Sequence, residues 1–159
     1  MISKDSNSSL DSKNIDMTLS VMGSSLVYWV QDLYKNSLLN KGSQIFSMTS
    51  AGGRKQWKSY GAISMAKATL ESASRQLAIE LAPNGIGVNA IQAGVTDTPA
   101  LRKIPGNEKM VDFAIKHNPS GRLTTPDDVA EYICLLSQAN NSWLTGNVIR
   151  IDGGEDIIG

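Results

Sequence analysis

The sequence predicts an α/β fold with a parallel sheet, on three observations. Short apolar or β-branched runs, QIFSM, IGVNAI and GNVIRI, alternate with long helical patterns rather than with hairpin turns. Helix then strand recurs three times along the chain, the order that layers helices on a parallel sheet. The 159 residues, 41% hydrophobic, fit one domain with a real buried core.

The elements follow in order. Residues 1–15 are rich in Ser, Asp, Asn and Lys and predict a tail without fold or a severed connection, leaving 16–159 as the domain. Met17 to Leu39 carries apolar residues on more than one side and reads as a largely buried helix ending before Lys41-Gly42. QIFSM is a strand, and TSAGGRKQWK a polar, glycine-bearing loop whose side chains can reach a ligand. Ile63, Ala66, Leu70, Ala73, Leu77 and Leu81 recur at helical spacing until Pro83 to Gly85 stops them. IGVNAI predicts a buried parallel strand opening into QAG. Residues 99–118 lack a clean period, hold Pro105-Gly106, and read as a mobile excursion with one short helix. Thr125 caps the next helix, Pro126 suits its first position, Asp127 and Asp128 favour its positive end, and Val129, Ile133 and Leu136 form its inner stripe. Cys134, among apolar neighbours, reads as core, and His117 as a surface loop residue. GNVIRIDGG is the last strand, closed by a double-glycine turn.

Composition removes several function classes. Fifteen basic and fifteen acidic side chains cancel and are scattered, so no field recruits nucleic acid or an anionic membrane. No apolar run approaches the ~20 residues of a membrane span. One cysteine excludes an internal disulfide framework, and the start lacks the apolar stretch of a secretory signal. A reducing, cytoplasmic setting is expected, and no metal site.

The chemistry concentrates in SYGAISMAKATL. On a helix the seven residues from Tyr60 to Lys67 turn through about 700°, so both side chains project from nearly one side. An ammonium near a phenol favours the phenolate and makes tyrosine a usable proton donor or oxyanion stabiliser. Spacing alone leaves a second reading open, an aromatic at a helix start and a solvated lysine.

The order of motifs adds to this. SMTSAGG, the Tyr60–Lys67 helix, VNAIQAG, TDT and LTGNVIRIDGG succeed one another between about residues 16 and 156. This set resembles the short-chain dehydrogenase/reductase family. The resemblance implies a Rossmann-like doubly wound parallel sheet, of which this chain would hold the last three strands and their helices, with the first four absent. Most members place tyrosine four residues before the lysine, but that position here is Ile63. Tyrosine, six intervening residues, then lysine resembles the enoyl-acyl-carrier-protein reductases, and Ser50, ten positions before Tyr60, is similar to the subgroup called type III.

The resemblance implies reduction of the 2,3 double bond of a trans-2-enoyl thioester in fatty-acid synthesis, with NADH or NADPH. Tyr60, Lys67 and Ser50 would be catalytic. Lys67, Gly94, Thr96 and Thr98 would bind the cofactor, a turn-forming role for the two threonines staying open. The substrate would ride on acyl carrier protein, with Arg102, Lys103, Lys109 and Lys116 either meeting that acidic partner or forming a solvated face. Relatives form tetramers through helices like those at 17–39 and 60–82, so a homo-oligomer is expected. The family's glycine-rich phosphate loop is not found. GIGVNA mimics its spacing but leaves a helix and enters a strand, the reverse of the required context. The family's usual asparagine on the preceding helix is missing, with Met22 near its place. Two alternatives stay open: another reductase of the family acting on dienoyl or oxoacyl thioesters, and a non-catalytic truncated or oligomerising fragment.

Overall fold

A computed structural model of the chain describes residues 9–158. The order is α1 (Ser12–Leu19), a π-helical turn (Ser20–Ser24), α2 (Ser25–Lys35), β1 (Gln44–Ser50), α3 (Gly61–Leu81), β2 (Gly87–Ala93), α4 (Asn107–His117), α5 (Pro126–Ser137) and β3 (Val148–Ile151). The strands form one parallel sheet in the order β1-β2-β3, with Gln44 opposite Gly87 and Ala90 opposite Val148. This is the expected α/β architecture, a partial Rossmann-like sheet.

β2 pairs on both sides, and its Val88, Ala90 and Ile91 are fully enclosed, which is why the strand is not alternating in polarity. Its buried Asn89 is satisfied: Nδ2 donates to Leu144 O at 2.7 Å and Oδ1 accepts from Asn147 N at 3.1 Å. On β1, Ser47 and Thr49 face α3, Ser47 Oγ lying 2.9 Å from Ser74 Oγ and Thr49 Oγ1 donating to Glu71 Oε1 at 2.7 Å. Met48 points the other way, into a groove walled by Val129 and Ile133 of α5. Helices therefore cover both faces of the sheet. The core joins Leu77, Ala78 and Leu81 of α3 to Val30, Ile86 and Val88.

Five expectations are corrected. α1 starts at Ser12, because the Asp11 carboxylate caps it by accepting from Asn14 N at 2.7 Å, so residues 12–15 are helical; residues 1–8 of the predicted tail lie outside the described residues. The segment from α1 to α2 is not largely buried: Val30 and Gly23 are, while Val21, Tyr28 and Trp29 are exposed. Gly23 brings backbone against α3, where a Cβ would lie 3.1 Å from Ala66 O and 3.2 Å from Thr69 Cβ. Residues 99–118 hold more regular structure than predicted, a 3-10 turn at Leu101–Lys103 and the 11-residue α4. His117 consequently closes that helix instead of lying in a loop, stacked 3.7 Å from Phe113. Cys134 lies exposed on the outer side of α5, next to the half-buried Ile133.

The start of α5 matches its expected chemistry, with Thr125 and Asp128 in a capping box and Pro126 at the first turn. No helix among the described residues is long and apolar enough to cross a membrane.

Candidate active site

β1 delivers Ser50 at its carboxyl end, a glycine turn follows, and α3 begins with Tyr60 as its N-cap. Two local constraints fix that tyrosine. Ser59, just before it, sits at φ 68°, a left-handed conformation that non-glycine residues adopt at a cost and that concentrates at functional sites. Gly52 lies against the ring: a Cβ there would stand 2.5 Å from Tyr60 Cε1 and 3.2 Å from Ser50 Oγ. A Cβ on Gly53 would likewise strike the Glu71 carboxylate.

Lys67 follows two turns on, its Nζ donating to Met48 O at 2.8 Å. Burial pushes its pKa below the ordinary lysine value, and the negative charge of Glu71 partly restores it. An ammonium carries three N–H donors, so two remain for a ligand. Ser50 Oγ is buried with no hydrogen-bond partner, a hydroxyl free to meet one.

Ser50, Tyr60, Lys67, Gly94, Thr96 and Thr98 all line one groove of about 540 Å³, at the carboxyl ends of β1 and β2. In open α/β sheets that end of the strands is where ligands bind. Met22 and Ile63 line it too. The two threonines also shape their own loop: Thr96 Oγ1 donates to Gly94 O at 3.1 Å, while Thr98 Oγ1 accepts from Leu101 N at 3.2 Å and keeps its proton. Gly94 is required by close packing, since a Cβ would strike Thr124 Oγ1 and lie 3.2 Å from Asp152 Cα. Arg102 is tied to Asp97 through two contacts of 2.8 Å, whereas Lys103, Lys109 and Lys116 are exposed.

Several residues the sequence reading did not single out surround this centre. A second cavity of about 150 Å³ shares Ser50, Tyr60 and Gly94 with the groove and runs between the 51–57 loop and α4. Trp57 and Phe113 meet across it edge to face, ring centroids 5.9 Å apart. Asp156, its side chain 3% exposed, draws in Arg54, Lys55 at 2.7 Å and Arg150 at 3.6 Å, and accepts from Gln92 Nε2 at 3.2 Å. Burial pushes that carboxyl up, but hydrogen bonds from Lys55, Gln92 and Arg54 outweigh it and hold the group well below the usual carboxylate range. Glu71 had a legible signal, its place four residues beyond Lys67 on one helix. Asp156 had none, because Arg54 is 102 residues away. Among the described residues no group of three or more His, Cys, Asp or Glu side chains could hold a metal ion.

A parallel sheet whose strand ends meet a helix carrying Tyr60 and Lys67 defines a short-chain dehydrogenase/reductase fold. The sequence profile described as enoyl-(acyl carrier protein) reductase matches residues 2–155, and the chain belongs to that family. It is 34% identical over 122 residues to an NADH enoyl-acyl-carrier-protein reductase of Synechocystis, covering 77% of this chain and 47% of that protein. An Escherichia coli enzyme of the same description is 32% identical over 121 residues, 76% of this chain and 46% of its own length. The crystal structure of the Aquifex aeolicus enoyl-acyl-carrier-protein reductase superposes with a TM-score of 0.85 at 28% identity, over 94% of this chain and 58% of that one. The Bacillus cereus enzyme, crystallised with NADP+ and an indole naphthyridinone, gives 0.86 at 27% identity, over 94% of this chain and 57% of its own. The chain spans about half the length of the curated relatives it matches.

Proposed function

We propose that the groove receives the nicotinamide end of NADH or NADPH beside a trans-2-enoyl thioester, and that its side chains serve reduction of the 2,3 double bond. The observation that carries this reading is the sharing of one groove by Tyr60, Lys67 and Ser50, while the nearer helical position, Ile63, has no proton to give. The donor set suits the cofactor: two N–H of Lys67, the unpartnered hydroxyl of Ser50 and the free proton of Thr98. NADH, named for the Synechocystis and Escherichia coli relatives, and NADP+, in the Bacillus cereus crystal, both support a nicotinamide.

When bound, the reduced nicotinamide supplies hydride to the β-carbon of the enoyl group. Tyr60 hydrogen-bonds the thioester oxygen, where negative charge builds, and a donor already in place there stabilises the transition state more than the ground state. Lys67 holds ribose hydroxyls and, as a nearby cation, favours the charge Tyr60 must face. Ser50 positions the thioester.

The rest of the reading concerns partners. Exposed Lys103, Lys109 and Lys116, on or beside α4, suit an acidic acyl carrier protein by charge. Val21, Tyr28, Trp29 and Ile79, all exposed on α1–α3, suit self-association into a tetramer. The lone, exposed thiol of Cys134 suits a reducing cytoplasm.

A second reading rests on β1, which among the described residues pairs with β2 alone and leaves its outer edge open: the chain would work as a half completed by another strand-bearing segment. Calorimetric titration with NADH and NADPH tests both. Saturable binding that weakens in Lys67→Met supports the groove as the cofactor site, and binding indifferent to that change contradicts it. Binding that appears only when the amino-terminal segment of a relative is added supports the second reading.

A further inference from the structure

The small cavity beside the groove carries an inference that rests on the function proposed above. It shares Ser50 and Tyr60 with the groove, so the acyl part of a thioester whose oxygen meets Tyr60 continues into it. Its walls are Trp57, Val95, Met110 and Phe113. Its ionic members are already engaged: Asp156 by Arg54, Lys55 and Gln92, and Glu155, whose Oε2 accepts from Val95 N at 3.0 Å. Beyond the Ser50 and Tyr60 hydroxyls at the side it shares with the groove, and the Gln56 amide, what it offers a ligand is apolar contact.

Two aromatic rings in contact form part of its wall. Trp57 comes from the loop after β1 and Phe113 from α4, and their planes meet at 65°. Phe113 is backed from the next turn by His117, stacked at 18° and donating from Nδ1 to Phe113 O at 2.8 Å. The pair thus joins the two walls and bounds a space of about 150 Å³. An apolar cavity of that order accepts a benzene-sized hydrocarbon, about six carbons. We propose that Trp57 and Phe113 form a chain-length stop that restricts this site to enoyl thioesters with acyl chains of about six carbons or fewer.

The test is calorimetric titration of the full chain, with and without NADH, using N-acetylcysteamine thioesters of roughly four to ten acyl carbons. Each two-carbon extension that finds apolar contact raises affinity roughly tenfold. In the wild type the rise ends near six carbons and longer chains bind no better. In Trp57→Ala the rise continues through two further extensions, so the longest thioester gains up to roughly a hundredfold over its wild-type affinity, and Phe113→Leu, a milder change on a half-exposed ring, moves the same way. A wild-type affinity that climbs steadily to the longest chain, or variants with an unchanged length profile, overturns the stop while leaving the reductase reading intact. No binding at any length, with or without NADH, overturns the reading of the site itself and the stop with it.

Discussion

Asp156→Asn isolates one carboxylate on which much of the active-site loop depends. The substitution keeps shape and a hydrogen-bonding oxygen but removes the charge that draws Arg54 and Lys55, neighbours of the Gly52–Gly53 turn, onto the chain's last described residues. A charge-assisted hydrogen bond contributes about 1.5–3 kcal/mol when enclosed. Arg54 and Lys55 are 51% and 54% exposed and recover solvation when released, so each is discounted to about 1 kcal/mol, and Arg150 at 3.6 Å adds little. The expected loss is about 2 kcal/mol in urea unfolding. Asp97→Asn is the control, because its pair with Arg102 is exposed on both sides and should leave the midpoint nearly unchanged. The acid dependence has a fixed sign. The folded-state carboxyl titrates below its unfolded value of ~3.9, so the stability it confers is fully present above about pH 4 and is lost as pH falls further. The gap between wild type and Asp156→Asn should close over that range. A variant no less stable than Asp97→Asn at neutral pH, or a gap that persists in acid, would refute the argument.

Three shorter predictions accompany it. Gly52→Ala forces a Cβ to 2.5 Å from Tyr60 Cε1, so it should cost about 1–3 kcal/mol in thermal unfolding and lower turnover as the tyrosine shifts; a fully active, equally stable variant contradicts that packing. Lys67→Met removes a cation that burial disfavours, so the protein should melt at or above the wild-type temperature while losing cofactor affinity, and a lower melting point contradicts the assignment of burial as the dominant influence on Lys67. Thr125→Ala removes the side-chain acceptor for Asp128 N and should cost about 1 kcal/mol in urea, with loss of cooperativity or no effect counting against the cap.

What the sequence disclosed was whatever chemistry kept local. The capping box at Thr125, the long stripe of α3 and the enclosed run of β2 are set by residues a few positions apart, and each lies where its pattern put it. The three strands were therefore legible, and the carboxyl ends of β1 and β2 are the ones that meet at Ser50 and Gly94. α4 lacked apolar periodicity, but it carried charge signals, Glu108 in its first turn and Lys116 and His117 in its last. Burial was misread where helix faces depend on partners: α2 turns Tyr28 and Trp29 outward, and α5 does the same with Cys134. The ring of charges on Asp156 and the meeting of Trp57 with Phe113 join residues far apart in the chain, and only the fold brings them together.

The central claim is that Tyr60 and Lys67 act as a pair on an enoyl thioester. The direct measurement is the decrease in reduced-nicotinamide absorbance with crotonyl thioester, comparing wild type with Tyr60→Phe, which keeps the ring against Gly52 and removes only the hydroxyl. Wild-type turnover reduced by about 10²–10⁴ in the variant is the predicted result. No turnover by the wild type, or equal turnover by both proteins, would contradict it.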